Sequence, residues 1–309
     1  MIDPERHPQC THAVWPVEGS LPLSVAIVCK DSKHTIARTV RSVRGLAREV
    51  VVLDSGSTDG TIQLLHRMGV FAQHQDWMGY IAQKNAALGM CRQPWALCID
   101  SDESIEPDLF AAVRAAIERD DPNVGGYEVN RKVHYKGAWL DHAWQPEWRL
   151  RLVRRGKAQW TGYDPHDSLV LKPDAALRVE RLPGVMRHDS IDSIADFLAK
   201  QCRHGRTAAN ALHARGVTTR PSALVTSPVG AWLKQMAGRS AWRDGWRGWL
   251  AASAAGVAAL AKHAALLELA RAPHAAPSDA DASRSGHDSR NTGAPPRNAH
   301  DTHTGEGHA

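Results

Sequence analysis

Strand-like and helix-like segments alternate four times within the first 120 residues, and this alternation constrains the fold more than any other feature of the sequence. Short apolar runs rich in β-branched residues predict buried strands, and each is followed by a segment with helical spacing. The predicted strands are 23–30, 49–54, 70–75 and 94–100, and the predicted helices are 34–46, 59–69, 79–91 and 106–121. This pattern is typical of an α/β fold with a mostly parallel, doubly wound sheet.

The rest of the chain divides by composition. Residues 1–21 resemble a flexible leader, and residues 22–190 form the predicted α/β domain. Within it, 125–172 alternate apolar and polar residues and predict antiparallel or mixed strands. Residues 191–271 predict a helical C-terminal region that is a candidate for membrane association. The tail, 272–309, lacks the apolar surface that would offset its ordering entropy, so we predict disorder.

Charge and cysteine content set broad limits. A net charge of +5 would suit nucleic acid, an anionic membrane or a phosphorylated substrate. The five cysteines are odd in number and form no CxxC pair, so a reducing, cytoplasmic compartment is expected. No apolar run reaches about 18 residues, so no membrane-spanning helix is predicted. The nearest candidate, 250–270, is interrupted by Lys262 and His263.

Paired aspartates follow one of the predicted buried strands. Asp100 and Asp102 flank Ser101 in "CIDSDE", and residues i and i+2 of an extended segment point the same way. Two converging carboxylates favour a cation between them, and Mg²⁺ commonly takes one or two carboxylates plus substrate phosphates. The alternative is structural, because Asp102 or Ser104 could cap the helix that follows.

A second acidic turn follows the strand 49–54. "DSGSTDGT" is neither a Walker A motif nor GxGxxG, so it favours neither an NTPase loop nor a dinucleotide site. It does place Asp54, Asp59, hydroxyls and glycines together, where they could bind a base or a ribose. The alternative is a strand-to-helix turn capped by Thr58 or Asp59, and one residue can serve both purposes.

Four segments in order, "LSVAIVCKDSKHTIARTVRSV", "VVVLDSGSTDGT", "GYIAQKNAAL" and "WALCIDSDE", resemble the inverting glycosyltransferases of family 2. They cover residues 23–103 and are specific as a set. The resemblance extends less specifically to residue 270 and is closest to lipopolysaccharide-core β-glucosyltransferases. It implies that 22–190 adopt the GT-A nucleotide-sugar-binding fold.

The resemblance also implies roles for individual residues. It implies that Asp31, Asp54, Asp59, Lys84, Asn85 and Asp100 bind the nucleotide sugar and that Asp102 binds the metal, with His188 as a further ligand of the metal or of the diphosphate. In particular, the Asp54 carboxylate would accept a hydrogen bond from the uracil N3–H. Lys84 would face the diphosphate, with Asn85 supporting the loop. Asp100 would contact the ribose or the water shell of the metal.

The resemblance also suggests the catalytic base. "TGYDPHDSL" stands where related chains carry His-Glu, so Asp167 replaces the glutamate and is the predicted base, with Asp164 and Glu147 as alternatives. His166 either orients the base on the acceptor side or is a packed histidine. Arg149 and Arg151 would hold acceptor phosphate, unless they belong to a solvated strand face.

A basic aromatic segment follows at "GRSAWRDGWRGWLAASAAG". If it is helical, Trp242, Trp246 and Trp249 share one face, beside a stripe of Arg239, Arg243 and Arg247. Tryptophan and arginine together suit a membrane interface. The alternative is a helix that packs its tryptophans on the core.

The sequence therefore predicts an inverting, metal-dependent hexosyltransferase. We expect a UDP-sugar donor, with UDP-glucose the first candidate, and Mg²⁺ or Mn²⁺ as cofactor. The acceptor would be a lipid-linked saccharide at the cytoplasmic face of the inner membrane, such as the lipopolysaccharide inner core. Alternatives are another donor, a polyprenyl-phosphate acceptor or a non-catalytic binding module. Nucleic acid is disfavoured, since carboxylates repel phosphates.

Overall fold

The computed structural model describes residues 19–163, 166–173 and 176–271. The predicted tail, most of the predicted leader and Cys10 lie outside these residues. The strands are β1 Leu21–Cys29, β2 Ala47–Asp54, β3 Ala72–His74, β4 Trp95–Asp100, β5 Glu103–Ile105, β6 Val124–Tyr135, β7 Ala138–Trp139, β8 Trp148–Arg154, β9 Ala158–Tyr163, β10 His166–Leu171 and β11 Arg178–His188. The helices are α1 Ile36–Ser42, α2 Thr61–Arg67, α3 Tyr80–Met90, α4 Pro107–Arg119, α5 Ile194–Ala214, α6 Ala223–Leu233 and α7 Trp246–Arg271.

One sheet organises the N-terminal part of the described chain. Its strand order is β3-β2-β1-β4-β8-β6-β11-β5, with β7 paired to β6. The pairings β1–β2, β1–β4, β2–β3 and β6–β11 are parallel. Strands β8 and β5 run against their neighbours. The predicted α/β fold class, a mostly parallel sheet followed by a helical C-terminal region, is confirmed.

The alternation of side chains along the strands builds a core on each face of the sheet. Val25 and Ile27 of β1 belong to one cluster, which contains apolar residues of α1, α2 and α4. Ala26, between them, belongs to a second cluster with residues of α3 and of the β9–β10 hairpin. Successive side chains of a strand point to opposite faces, so strands buried on both faces read as continuous apolar runs.

This topology brings the predicted acidic turns to one edge. β1 lies between β2 and β4, with Cys29 opposite Asp54 and Val28 opposite Asp100. Because neighbouring strands lie about 4.8 Å apart, the ends of β2 and β4 are separated by roughly 10 Å. Both aspartates end parallel strands at the carboxyl edge, where ligands of open α/β sheets bind.

The C-terminal helices pack on one another, and one tryptophan prediction is corrected. Trp242 lies in a short 3₁₀ helix, Ala241–Asp244. Gly245 then adopts φ 60°, and α7 begins only at Trp246. The three tryptophans therefore do not lie on one continuous helix, because a left-handed glycine interrupts it.

Helix α7 also bears on the prediction that no helix spans a membrane. Among the described residues, Trp246–Arg271 is the one helix long and apolar enough to cross a bilayer, by length and composition only. A third of its most apolar window is buried inside the protein. Core helices of proteins without membrane segments satisfy the same criterion.

Candidate active site

Hydrogen bonds join the turns that follow β1 and β2. Asp31 accepts from the Thr58 N–H at 2.8 Å, and its own N–H donates to Ser57 Oγ at 2.8 Å. Asp59 accepts from the Lys33 N–H at 2.9 Å and from the N–H of Thr61, the first residue of α2, at 2.9 Å. Asp31 and Asp59, both predicted to bind the nucleotide, therefore hold the turn after β1 against the turn after β2.

These hydrogen bonds also determine the direction in which the pKa of Asp59 is shifted. Desolvation opposes ionisation, but hydrogen bonds from Thr61 and from the Lys33 backbone outweigh it and hold the pKa of Asp59 below its ordinary value. Asp59 thus accepts from the first N–H of α2, but the N-cap of that helix is Gly60, so neither Thr58 nor Asp59 is the predicted N-cap. The carboxylate of Asp31 is exposed.

Asp54 is buried at the end of β2. One of its carboxylate oxygens accepts from the N–H groups of Gly56 and Ser57 at 2.8 Å each. The other accepts from Ser57 Oγ and lies 3.5 Å from Cys29 Sγ. Both oxygens thus brace the turn with two donors each, so a uracil N3–H would have to compete with one of these four donors. That role stays a prediction.

Lys84, buried on α3, bridges two of the predicted site carboxylates. Its Nζ lies 2.8 Å from Asp100 Oδ1 and 2.8 Å from Asp167 Oδ2. The ammonium group also lies 4.5 Å from the ring centroid of Trp160. Desolvation lowers the pKa of Lys84, but the charges of Asp100 and Asp167 outweigh it and raise the pKa overall. Lys84 therefore connects β4 with the β9–β10 hairpin.

Asn85 fixes the same hairpin through the backbone. Its amide donates to the Trp160 carbonyl at 2.9 Å and accepts from the Trp160 N–H at 2.9 Å. This paired contact imitates a strand neighbour and holds Trp160 beside Lys84. The lysine and the asparagine of the "QKN" motif therefore position the hairpin that carries Asp167.

Behind Asp100 lies a buried cluster of charges. Glu103 is fully buried, and its carboxylate accepts from Arg151 Nη2 at 2.7 Å and from Arg131 Nη1 at 3.0 Å. It also accepts from the Asp100 N–H at 2.9 Å. Arg151 reaches Asp100 Oδ2 at 3.3 Å. Desolvation opposes ionisation of Asp100, but Lys84 and Arg151 hold its pKa well below its usual range.

This cluster argues against an acceptor-binding role for Arg151. Its side chain is 5% exposed and is committed to Glu103 and Asp100. An acceptor phosphate would have to displace these bonds in a buried position. Arg149, by contrast, is 42% exposed and pairs with Glu147 at 2.8 Å. Of the two arginines, Arg149 is the one open to an acceptor.

Glu147, the alternative base, is held by two guanidinium groups. Arg131 donates to it at 2.6 Å and 3.1 Å, and Arg149 donates at 2.8 Å. Burial raises its pKa, but these arginines outweigh burial and lower the pKa to about 2. A carboxylate so strongly acidic is a poor proton acceptor, which favours Asp167 as the base.

The low pKa of Glu147 predicts a pH dependence of stability. Its contribution is complete above the ordinary value of 4.5 and is lost as the pH falls through about 2. We expect Glu147→Gln to lower the free energy of unfolding at pH 7 by about 2–3 kcal/mol. As the pH falls from 4.5 to about 2, the free energy of unfolding should decrease less in the variant than in the wild type. Urea unfolding across the acid range checks this, and parallel acid profiles would contradict it.

Asp102 and His188 lie side by side, as the predicted metal pair requires. His188 Nε2 lies 3.4 Å from Asp102 Oδ2. Desolvation opposes ionisation of Asp102, but His188 outweighs it and lowers the pKa of this carboxyl group. Asp102 does not cap α4, whose N-cap is Glu106. The capping alternative is therefore wrong, whereas the metal role stays a prediction.

A carboxylate and an imidazole fit a divalent cation that takes its other ligands from phosphate and water. Within the described ranges, no group of three or more His, Cys, Asp or Glu side chains forms a complete protein metal site. A cation held by Asp102 and His188 would therefore depend on oxygens from a ligand.

Two predicted residues fall outside what the structure describes. Asp164 lies in the gap between β9 and β10, and the side chain of His166 is likewise outside the described part. The alternative base and the predicted acceptor histidine therefore stay predictions. Asp167 itself is opposite Gly162 in the β9–β10 hairpin.

Sequence reasoning missed Glu103, Arg131 and Trp160 as parts of the site. Glu103 stood inside the quoted "CIDSDE" motif, and two of its three hydrogen bonds come from Arg131 of β6 and Arg151 of β8, far along the chain, while the third comes from the nearby Asp100 N–H. Arg131 gave no local signal. Trp160 stood in a Trp- and Arg-rich stretch whose composition, without a topology, could not place the ring beside Lys84.

Comparison with known proteins fits this arrangement. Residues 24–175 match the family model "Glycosyl transferase family 2". The glycosyltransferase RP128 of Rickettsia prowazekii is 26% identical over 219 residues, which cover 69% of this chain and 75% of its own length. The lipopolysaccharide core biosynthesis glycosyltransferase LpsC of Rhizobium meliloti is 33% identical over 150 residues, 45% of this chain and 53% of LpsC.

Among solved structures, the mannosyltransferase PcManGT of Pyrobaculum calidifontis, in complex with GDP-mannose and Mn²⁺, superimposes with a TM-score of 0.45 and 16% identity. The superposition covers 84% of this chain and 91% of that one. The family match spans β1 to β10, including the acidic turns and the β9–β10 hairpin. Through residues 24–175, the chain therefore belongs to glycosyl transferase family 2.

Proposed function

We propose that this glycosyltransferase is an inverting enzyme that transfers a hexose, with UDP-glucose the first candidate donor, to a lipid-linked saccharide. The observation that carries the proposal is the arrangement around Lys84. Its ammonium group joins Asp100, at the end of β4, to Asp167 of the hairpin, at 2.8 Å each. The strand end that would bind the donor and the candidate base are therefore close enough together to take part in the same transfer reaction.

The donor would bind across the carboxyl ends of β1, β2 and β4. Asp31 offers an exposed carboxylate beside the braced Asp54 turn, which suits hydrogen-bond donors of a base or a ribose. Lys84 supplies positive charge for the diphosphate. The hydrogen bonds between the β1 and β2 turns hold this edge in shape before the donor arrives, which lowers the ordering cost of binding.

In an inverting transfer, one carboxylate removes the proton from the acceptor hydroxyl while that oxygen attacks the anomeric carbon. Asp167 fits this role because Lys84 fixes its side chain and because no second cation is paired with it among the described contacts. Asp102 and His188 would hold a divalent cation. When bound, that cation stabilises the negative charge of the leaving diphosphate.

Calorimetry with UDP, in the presence and absence of Mn²⁺, tests the donor site. We expect Mn²⁺ to strengthen UDP binding, and Asp102→Ala to remove that gain, about tenfold or more. Asp108→Ala is the matched control, because Asp108 is an exposed carboxylate in the first turn of the neighbouring α4. If the wild type binds UDP equally well with and without Mn²⁺, the metal-dependent mechanism is wrong.

The proposed acceptor and location rest on two features. Similarity to LpsC, a lipopolysaccharide core biosynthesis glycosyltransferase, favours a saccharide of that class. Trp242, Trp246 and Trp249 are half-exposed, which suits contact with the cytoplasmic face of the inner membrane. A screen of nucleotide sugars against a lipid-linked core saccharide tests both substrates. Failure of every pair would contradict the proposal.

A further inference from the structure

Helix α6 is an apolar helix without a buried face in the described structure. None of its residues is buried. Val225, Val229 and Leu233 follow one another at i, i+4 and i+8 and are 66%, 51% and 49% exposed. Residues at this spacing lie on one side of a helix. A stripe of this size facing water marks an interaction surface rather than ordinary scatter of apolar residues.

The helix that carries this stripe contacts α7 through a pair of tryptophans. Trp232 of α6 packs against Trp249 of α7, with ring centroids 5.7 Å apart. Trp242 and Trp246 precede Trp249 in the chain, and all three tryptophans are more than half exposed. We refer to the exposed side chains of Val225, Val229, Leu233, Trp242, Trp246 and Trp249 as the α6–tryptophan face. It draws on two segments, so neither segment alone reveals it.

The C-terminal segment that carries this face has an excess of positive charge. Asp244 is the only acidic residue between Asp196 and Glu268. The same stretch holds ten basic residues, namely Lys200, Arg203, Arg206, Arg215, Arg220, Lys234, Arg239, Arg243, Arg247 and Lys262. This local excess is larger than the +5 of the whole chain, so the remainder of the protein is net acidic. An anionic partner is therefore favoured at this end.

Two charged side chains of this region are already used inside the protein. Asp244 accepts from the N–H groups of His142 and Ala143, at 3.0 Å and 2.7 Å, so its charge is turned inward. Arg247 donates to the Tyr135 carbonyl at 2.9 Å and to the Lys136 carbonyl. The sequence predicted that Arg247 lies in a lipid-facing stripe. Its hydrogen bonds to these carbonyls instead commit it to contacts within the protein. Lys234 and Arg243 are exposed beside the face.

Helix α7 is committed to protein contacts, which argues against a spanning role. Ala251, Ala252 and Ala254 are buried in a cluster with Phe197 and Met236. At Gly205 of α5, an added Cβ would lie 2.9 Å from the Ala258 carbonyl oxygen of α7, so the two helices touch backbone to backbone. A helix held this closely along one side is typical of a helix bundle, whereas no residue of α6 is buried.

We propose that the α6–tryptophan face inserts into the interfacial region of an anionic lipid bilayer, with α6 lying in the plane of the surface. Valine, leucine and tryptophan side chains would enter the headgroup and acyl boundary, while Lys234 and Arg243 contact lipid phosphates. The inference deepens the membrane location proposed above and rests on it. It assigns the contact to α6, which places the bilayer beside the C-terminal helices.

Sedimentation of the full chain with vesicles tests the proposal without any donor sugar, so its result is independent of transferase activity. We expect binding to vesicles of phosphatidylcholine mixed with phosphatidylglycerol, and much weaker binding to phosphatidylcholine alone. Raising the salt from about 0.1 M to about 1 M should weaken the binding, since it screens the lysine and arginine charges. An alkaline carbonate wash should release the protein.

The decisive variant is Val225→Asp with Val229→Asp. We expect its vesicle affinity to fall by about a hundredfold, because both substituted side chains would have to enter an apolar layer. Both positions are exposed, so thermal unfolding should be unchanged. The matched control is Phe71→Asp, which replaces a 64% exposed aromatic residue in the N-terminal domain and should bind vesicles normally.

Three outcomes would overturn the proposal. The first is wild-type protein that does not bind the anionic vesicles. The second is a dimer in solution that the double variant dissolves, since a second copy would then cover the face. The third is vesicle binding that resists carbonate, which would make α7 a spanning helix. UDP binding that persists in any of these cases would leave the proposed donor site standing.

Discussion

Replacing Asp167 by asparagine is expected to lower the turnover number by about a thousandfold, within the range typical for loss of a general base. The amide has nearly the same shape but cannot take a proton from an acceptor hydroxyl. Lys84 keeps its 2.8 Å contact with Asp100, so the buried ammonium group is not left unpaired. Steady-state kinetics with the donor found by screening, together with the affinity for UDP, measure the effect. The UDP affinity should remain close to that of the wild type.

Asp141→Asn is the matched control for this substitution. Asp141 is also a lysine-paired aspartate, with Lys132 as its partner, but its side chain is 57% exposed. The same chemical change there should leave turnover unaltered. Near-normal turnover of Asp167→Asn would move the base to another carboxylate. Asp164 would then be the first to replace, since the low pKa of Glu147 makes that residue the poorer candidate.

The fold and the meeting of the acidic turns at one edge of the sheet could be predicted from the sequence because their signals are local. A strand buried on both faces reads as an apolar run, as in β1 and β4, and each ends at a polar turn. Since parallel strands share one edge, the turns at Asp54 and Asp100, 46 residues apart in the chain, must meet there. The pairing of Cys29 with Asp54 and of Val28 with Asp100 agrees with that inference.

Partners supplied by distant strands could not be predicted. Arg151 reads as a surface residue in the alternating "WRLRLVR", and this suggested phosphate binding. Its strand, β8, instead lies between β4 and β6, and the side chain turns toward Glu103. Only the order of the strands in the sheet decides whether Arg151 is exposed on the surface or buried beside Glu103. The same limit applied to Arg247, whose partners are carbonyls more than 100 residues earlier.

The buried charges behind Asp100 lead to the second large effect, on stability. We expect Glu103→Gln to lower the free energy of unfolding by about 3–5 kcal/mol. The glutamate is fully buried and offsets the charges of Arg131 and Arg151, at 3.0 Å and 2.7 Å. A neutral amide would leave two guanidinium groups with too little negative charge, in a place that water does not reach. Chemical denaturation at neutral pH measures the difference.

Glu118→Gln provides the control, because Glu118 forms an i, i+4 pair with Arg114 at 3.4 Å and is 56% exposed. Exposed pairs of this kind contribute about 0–1 kcal/mol, so this variant should be close to the wild type. The comparison separates loss of a buried charge from loss of any carboxylate. Glu103 also accepts from the Asp100 N–H at 2.9 Å, so the buried charge helps to fix the end of β4. If Glu103→Gln unfolds like Glu118→Gln, the buried charge of Glu103 does not stabilise the fold.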